Sequence, residues 1–459
     1  MATVIADSTA SGQKIWSSRF SFLYSTAAAA IGLGSLWRFP YVAGANGGGA
    51  FVLVYLLFVA LLCVPIILAE MFIGKRGQGS TVTSVDRLVK DEQAWRGWRA
   101  IGWLSMAIPF LGLSYYSVIA GWGIEYARLA LFRGFAGIGP DESLAGFNAL
   151  TASPLHLALL QSLFIFATAW VVSRGLHGGI ERISWIKMTV MFGVLVFMVI
   201  YNAFNFGLGR AAAFLFTPDF SQLTGKGVLA ALGQALFSTG IGIGVLMTYS
   251  SYVPRSISLP QSSALLAVAV VLVASMAGLA IFPTVFHFGL RPGEGPNLIF
   301  VTVPIAFGQM FAGRLVAILF FGLIAIGAFT SAVGMLEPVI SWLEERTRIG
   351  RSRLCALAAV AIWLVGLPSL LSFNLLADVH PLSFVPIFAK ASFFDVLDTG
   401  IATILLPINA LLIALFVGWG ISRRSAAAEF GESMALTGWR LVLRYFAPVA
   451  ILVLMTSFF

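Results

Sequence analysis

Ile31-Gly-Leu-Gly-Ser35, with Arg38-Phe-Pro40 close behind it, breaks an apolar run that carries no charge from 20 to 37. The same kind of interruption returns as Ser238-Thr-Gly-Ile-Gly-Ile-Gly244 inside the charge-free run 227–254. A glycine inside a helix costs about 1 kcal/mol relative to alanine and leaves the neighbouring backbone uncovered. One such cluster has an ordinary explanation, because small residues also let membrane helices pack closely. Two clusters, in the first and sixth apolar runs, form a pattern of corresponding broken helices in the two halves of one chain. That pattern points to a transporter with inverted repeats and a binding site at the breaks.

Outside the breaks the sequence is that of an integral membrane protein. Its 459 residues are 59% hydrophobic and only 10% charged, where soluble domains run at about 25% charged. This composition excludes a soluble enzyme, a nucleic-acid binder and a disordered scaffold. A helix crossing the hydrocarbon core needs about 20 mostly apolar residues. Charge-free runs lie at 20–37, 39–69, 100–124, 143–173, 188–209, 227–254, 256–290, 315–336, 354–377 and 399–422, and 441–459 is interrupted only by Arg444. The expectation is an all-α integral membrane fold with eleven transmembrane helices. The run 295–313 is also uncharged, but Pro296, Pro304, Asn297, Thr302 and Gln309 predict an extracellular or re-entrant helix there. Cys63 and Cys355 sit in apolar runs as packing residues, and the four histidines share no metal-ligand spacing. Neither a nucleophile elbow nor a phosphate loop of the usual form is present, so no enzyme activity is expected.

The net charge of +9 has to be read by position. With the amino terminus inside, 20 of the 28 basic residues collect on cytoplasmic segments, among them Lys14, Lys75, Arg76, Lys187, Arg351 and Arg423. The positive-inside rule then places the amino terminus in the cytoplasm and the carboxyl terminus outside. Residues 1–18 read as a cytoplasmic segment without a signal-peptide layout. Helices 1–5 fall in 19–206, helices 6–10 in 226–422 and helix 11 in 437–459.

Broken helices supply chemistry. Half-helix amino termini present positive dipole ends to a carboxylate, and freed carbonyls can ligate a small cation. Thr330 and Ser331 put adjacent hydroxyls in an apolar helix just after Gly327. On their own these hydroxyls either bond back to helix carbonyls or face a ligand. Arg38 and Asp398 fall on the same side of the membrane, either closing over the site together or wetted separately by headgroups.

Several of these residues also carry a resemblance. Trp16-Ser-Ser-Arg19, Gly32-Leu-Gly-Ser-Leu-Trp-Arg-Phe-Pro-Tyr41 and Asn46-Gly-Gly-Gly-Ala-Phe51 resemble the opening of the neurotransmitter:sodium symporter family. Pro65-x4-Glu70, Tyr115-Tyr116, Thr217-Pro-Asp-Phe220, Gly233-Gln234-x-x-Phe237 and Thr248-Tyr-x-Ser-Tyr252 continue it. Gly278-Leu-Ala-Ile-Phe-Pro283, Thr330-Ser331 and Glu337-Pro338 extend it over almost the whole chain. The chain looks like a bacterial eleven-helix member, similar to the leucine and hydrophobic amino-acid transporters. The resemblance implies two inverted five-helix repeats, helices 1–5 and 6–10, with helices 1 and 6 broken. It also implies a bacterial inner membrane as the location.

The resemblance implies ion sites as well. A second sodium site would use the carbonyls of Ala28, Ile31 and Gly327 with the hydroxyls of Thr330 and Ser331, five neutral oxygens suited to a hard monovalent cation. The first site is less complete. Ala30 and Ser238 remain as possible ligands, Ser35 stands where the family has Asn, and Val270 stands where helix 7 should supply an oxygen. One coupled sodium, at the second site, is therefore expected. The family's chloride position falls on Ala274, so no chloride requirement is expected. In helix 5 the family's glycine-x9-proline hinge reads Gly179-x9-Thr189.

For the substrate, Gly32 replaces the acidic residue of the monoamine branch and leaves room for a carboxylate. Tyr116 matches the tyrosine that bonds this carboxylate, with the backbone near Ala29, Ala30, Leu33 and Gly34 completing the cradle and Ser238 beside it. The side-chain pocket would be Gly112, Phe237, Gly240, Ile243, Ser331 and Met335, which favours an apolar ligand. Arg38, Asp398 and Gln234 match the extracellular gate, with Phe237 as lid. Trp16, Tyr252 and Glu345 match the inner gate, and Lys14 substitutes for an arginine expected at Gln13. The reading is a sodium-coupled symporter of a neutral, hydrophobic or aromatic amino acid, working by alternating access. Its alternatives are a transporter of the same fold with weak or no sodium coupling, running as a uniporter or with protons, and a non-transporting amino-acid sensor.

Overall fold

A computed structural model describes residues 15–254, 256–289 and 298–457. Lys14, Gln13, Asn297 and Pro296 lie outside the described residues. Among the described residues the chain is helical throughout, with a single isolated bridge between Gly48 and Pro218. Among the described residues nine helices are long and apolar enough to span a bilayer: Gly49–Gly77, Arg96–Phe132, Pro154–Ser173, Leu176–Asn205, Leu259–His287, Gly313–Arg346, Arg351–Leu371, Phe393–Gly420 and Met434–Thr456. The bent pair Arg19–Ala30 and Gly34–Ala45, counted as one broken span, makes ten. The helices Gly225–Thr239 and Val245–Ser251, each short, are the two halves of the broken sixth span in the eleven-span reading. We number the spans 1 to 11 in chain order on that basis.

The first break follows from packing. Ser18 caps the first half by accepting from the Ser21 amide, and the helix stops at Ile31, which is extended (φ −79°, ψ 94°). The second half leaves at 57° to the first. A Cβ on Gly32 would lie 2.4 Å from Ser331 Oγ and 3.1 Å from the Tyr116 hydroxyl, so only glycine lets the unwound strand sit against spans 8 and 3.

The second break follows from backbone conformation. Gly240, Gly242 and Gly244 have φ of +67°, +82° and +83°, the left-handed region that side chains disfavour. Amides freed by this loop must be satisfied by protein, since the membrane core offers no water. Fully buried Glu70 of span 2 accepts from Gly242 N at 3.2 Å and Gly244 N at 3.1 Å. Asn409 of span 10 donates to the Gly242 carbonyl at 2.7 Å.

Spans 3 and 8 pack along each other, as do spans 4 and 9, and the halves of span 6 lie against span 2. The short helix Leu298–Gln309 does not span. It lies across the face opposite Trp16, with Phe300 packed edge-on to Trp37 and Trp122. We call the Trp16 side the near face and the Phe300 side the far face.

Two sequence boundaries are corrected. The run 143–173 divides into a surface helix, Pro140–Thr151, and span 4 from Pro154, because Pro154 opens a new helix after the Thr151 turn. The fifth span begins at Leu176, not at 188. Lys187 therefore belongs to no near-face segment. It lies eleven residues into its helix, about 16 Å along the axis at 1.5 Å per residue, and is fully buried. In the sequence a charge marks the end of a loop, whereas the helix runs straight through Lys187.

Candidate functional site

Between the two breaks lies a small cavity of about 80 Å³. It is lined by Ala29, Ala30, Leu33 and Gly34 of span 1, Gly112 and Tyr116 of span 3, and Phe237, Gly240 and Ile243 of span 6, with Ser331 and Met335 of span 8. All the substrate positions expected from sequence meet here except Ser238. The Ser238 hydroxyl is turned away to the Tyr55 hydroxyl of span 2, 3.0 Å distant. Beside Gly32, Tyr115 and Thr239, the wall includes Ile108, Pro109, Val245, Leu246, Ile401 and Leu406, an apolar contribution from spans 3, 6 and 10 that no short motif marks. The pocket holds no charged side chain. Four hydroxyl residues line it, Tyr115, Tyr116, Thr239 and Ser331, and of these the Tyr116 hydroxyl and Ser331 Oγ are buried without a hydrogen-bond partner among the described residues. Buried hydroxyls are rarely left unpaired, so this pair is set to meet polar groups of a ligand.

A second cavity, about 360 Å³, continues toward the far face and shares Leu33, Gly34, Tyr115, Tyr116 and Phe237 with the first. Arg38 and Asp398 both line it. The Arg38 guanidinium lies 4.3 Å above the Phe237 ring, a cation–π contact, and Gln234 donates to the Gly34 carbonyl at 2.9 Å. Among the described residues no ion pair joins Arg38 to Asp398 within 4.0 Å. The far-face gate residues are thus assembled with their charges apart.

On the near face the path is sealed. Trp16, 2% exposed, donates its indole N–H to the Tyr249 carbonyl at 2.8 Å, and its amide to the Tyr252 carbonyl at 3.1 Å. The Tyr252 hydroxyl donates to Glu337 at 2.9 Å. Arg351 joins both Glu337 and Glu344, the latter at 2.7 Å. Glu345 is not part of this cluster. It accepts from the Ser80 amide and hydroxyl, each at 2.6 Å, and from Thr83, and so holds the start of helix Thr81–Asp91. Helical geometry explains the exchange: seven residues return nearly to the same face and eight overshoot it, so Glu344 rather than Glu345 accompanies Glu337. Sequence reasoning also missed Glu181, which accepts from the Ser17 amide at 2.9 Å and hydroxyl at 2.8 Å and ties the amino-terminal segment to span 5.

Four of the five oxygens of the expected second cation site converge, while Ser331 Oγ lies beside Gly32 in the wall of the cavity. Thr330 Oγ1 lies 3.3 Å from the Ala28 carbonyl and 3.4 Å from that of Gly327. The cation among them belongs to the protein. Lys187 Nζ donates to the carbonyls of Ala28 at 2.6 Å, of Ile31, and of Gly327 at 3.5 Å. Three of the five expected sodium ligands are therefore engaged by an ammonium group, and this set does not fit an added sodium ion. The first site is no more complete: Val270 is buried and offers no oxygen, Ser238 is engaged by Tyr55, and Ser35 Oγ is buried without a partner among the described residues. Ala274, at the expected chloride position, is buried and brings no hydroxyl.

Comparison with known proteins matches the fold. The model of the sodium:neurotransmitter symporter family matches residues 13–136 and 145–459. An uncharacterized sodium-dependent transporter of Bacillus subtilis, YhdH, is 37% identical over 95% of this chain and 96% of its own. One of Haemophilus influenzae, also described as an uncharacterized sodium-dependent transporter, is 33% identical over 97% and 98%. Among solved structures, a crystal structure of MhsT in complex with L-phenylalanine superposes with a TM-score of 0.88 at 37% identity, covering 98% of this chain and all of that one.

Proposed function

Because the chain belongs to the sodium:neurotransmitter symporter family, we propose that it is a secondary transporter of a neutral, hydrophobic or aromatic amino acid, working by alternating access. One observation carries the substrate class: an apolar cavity between two broken helices whose unpaired polar side-chain atoms are the Tyr116 and Ser331 hydroxyls. These, with the amides around Leu33 and Gly34, would hold the carboxylate, while the glycines and Met335 leave room for an apolar side chain. The L-phenylalanine complex of MhsT supports the same class. Its relatives are named as transporters and its family as symporters, which supports transport over the sensor alternative.

The arrangement of gates supports a cycle. In the state described, the near face is closed by Trp16, Tyr252, Glu337 and Arg351, and the pocket leads through Phe237 toward the far face. With the amino terminus in the cytoplasm of a bacterial cell, this is an outward-facing form in the inner membrane. Substrate bound beneath Phe237 would draw Arg38 and Asp398 together before the near-face cluster opens, with binding energy shifting the population between forms. Sodium is the ion of the family. A reading with weak or no sodium coupling is favoured by a single observation, the Lys187 ammonium among the second-site carbonyls.

The test is uptake of labelled phenylalanine, leucine, alanine and glycine into proteoliposomes under separately imposed sodium, potassium and proton gradients. Concentrative uptake of phenylalanine or leucine is expected. Tyr116→Phe should weaken it about 10- to 100-fold, from about 1.5–3 kcal/mol for a hydrogen bond to a charged group. Uptake of none of the four under any gradient would overturn the assignment.

A further inference from the structure

Lys187 is a fully buried lysine inside span 5 at the level of the first break, with no carboxylate against its ammonium among the described residues. An ionisable group in such a place is rare and functional by default. It has three N–H donors and no acceptor, and it meets three carbonyl oxygens: Ala28 and Ile31 at the end of the first half-helix, and Gly327 in span 8. The carboxyl end of a half-helix carries the negative end of its dipole. Freed carbonyls at such an end are what a coupling cation binds in this architecture. We propose that the Lys187 ammonium is a tethered replacement for the second-site sodium, the cation that joins span 1 to span 8 and holds the near face shut.

The parts of the fold that reach Lys187 support this. Span 5 is closed on span 1 from both ends of the same stretch: Glu181 holds Ser17, and six residues on Lys187 holds Ala28 and Ile31. Tyr24 stacks on Trp185 at 4.3 Å between them. Movement of the first half of span 1 therefore requires the ammonium to leave its carbonyls, as an ion would. A side chain anchored to span 5 cannot be released to solvent on either side, so this position contributes no transported sodium. Sodium carried by the protein would have to bind elsewhere. The inference is independent of what the pocket carries, and it is tested without substrate.

Purified full-length protein would be titrated with sodium against N-methyl-D-glucamine at constant ionic strength, reading thermal unfolding and bound ²²Na⁺. Lys187→Ala frees the Ala28, Ile31 and Gly327 carbonyls beside Thr330 and should gain a saturable, sodium-dependent rise in Tm and one additional bound ion per chain. Adding Thr330→Val to Lys187→Ala should remove both gains, because it deletes one of the exposed ligands. Absence of any sodium gain in a folded Lys187→Ala protein would overturn the proposal. Should that variant not fold, the wild type decides: at most one bound sodium, retained in Thr330→Val, is the expected result. Two bound ions, or one that Thr330→Val abolishes, would show sodium using the second site beside Lys187 and would overturn it. Uptake failing in every variant would count against the transport assignment alone, since these readouts contain no substrate.

Discussion

Two buried charges, one on each break, show how single residues hold this architecture. Lys187 covers carbonyls freed in span 1, and Glu70 covers amides freed in span 6. Each is a charged group that the membrane core would otherwise expel, at about 2.5–3.5 kcal/mol on insertion scales for Lys or Asp, and each is repaid by backbone groups that would otherwise be unsatisfied. Glu70→Gln tests the second. One carboxylate oxygen becomes an amide donor facing an N–H, and leaving that N–H unsatisfied costs about 1–3 kcal/mol. A lower Tm for the purified variant is expected, and an unchanged Tm would mean the loop of span 6 is held by Asn409 without it. The glycines there are equally specific. Gly244→Ala places a Cβ 2.2 Å from the Ser105 carbonyl at a φ of +83°, whereas at Gly233 the nearest atom is a leucine methyl 3.8 Å away. Expression screening by size-exclusion chromatography should recover folded Gly233→Ala and little or no folded Gly244→Ala.

At the scale of elements, what moves is set by what closes the near face. The first half of span 1 is held by Trp16 on Tyr249 and Tyr252, and the second half of span 6 by Tyr252 on Glu337, with Arg351 joining Glu337 to Glu344. Glu337→Gln keeps the shape of this cluster but removes the charge that Arg351 pairs with. Breaking one partner of a buried pair leaves the other uncompensated. The expected result is faster hydrogen–deuterium exchange in Arg19–Ala30 and Val245–Ser251, with the core of span 3 unchanged. Equal exchange in both proteins would place the seal elsewhere. The gate was only partly legible in the sequence. Trp16 and Tyr252 are found by motif, but choosing between Glu344 and Glu345 needed the helical phase. The pocket was more legible, because glycine clusters and paired tyrosines are local signals. Ser238 failed because its hydroxyl has a competing partner in Tyr55, which no spacing reveals. Lys187 failed for a different reason. A charge inside an apolar stretch reads as a loop unless the partner carbonyls, here 140 to 159 residues away, are in view.

For the whole molecule, composition and the two breaks were enough for an all-helical membrane fold with a central site. The direction in which that fold sits in the bilayer rests on charge bookkeeping alone. Removing Lys187 from the near-face basic residues leaves the remaining ones in place, including Lys75, Arg76, Arg87, Lys90, Arg96 and Arg99 on the segments around helix Thr81–Asp91. A lysine buried inside a span contributes nothing to topology, because the positive-inside rule counts charges near the ends of spans and in short loops. The near face should therefore still be cytoplasmic and the carboxyl terminus external. A carboxyl-terminal fusion to alkaline phosphatase should be enzymatically active in a bacterial host, and the same fusion to green fluorescent protein dark. The reverse result would put the wide cavity beneath Arg38 and Asp398 on the cytoplasmic side. The form described here would then be the inward-facing one, with Trp16, Tyr252, Glu337 and Arg351 as its external seal.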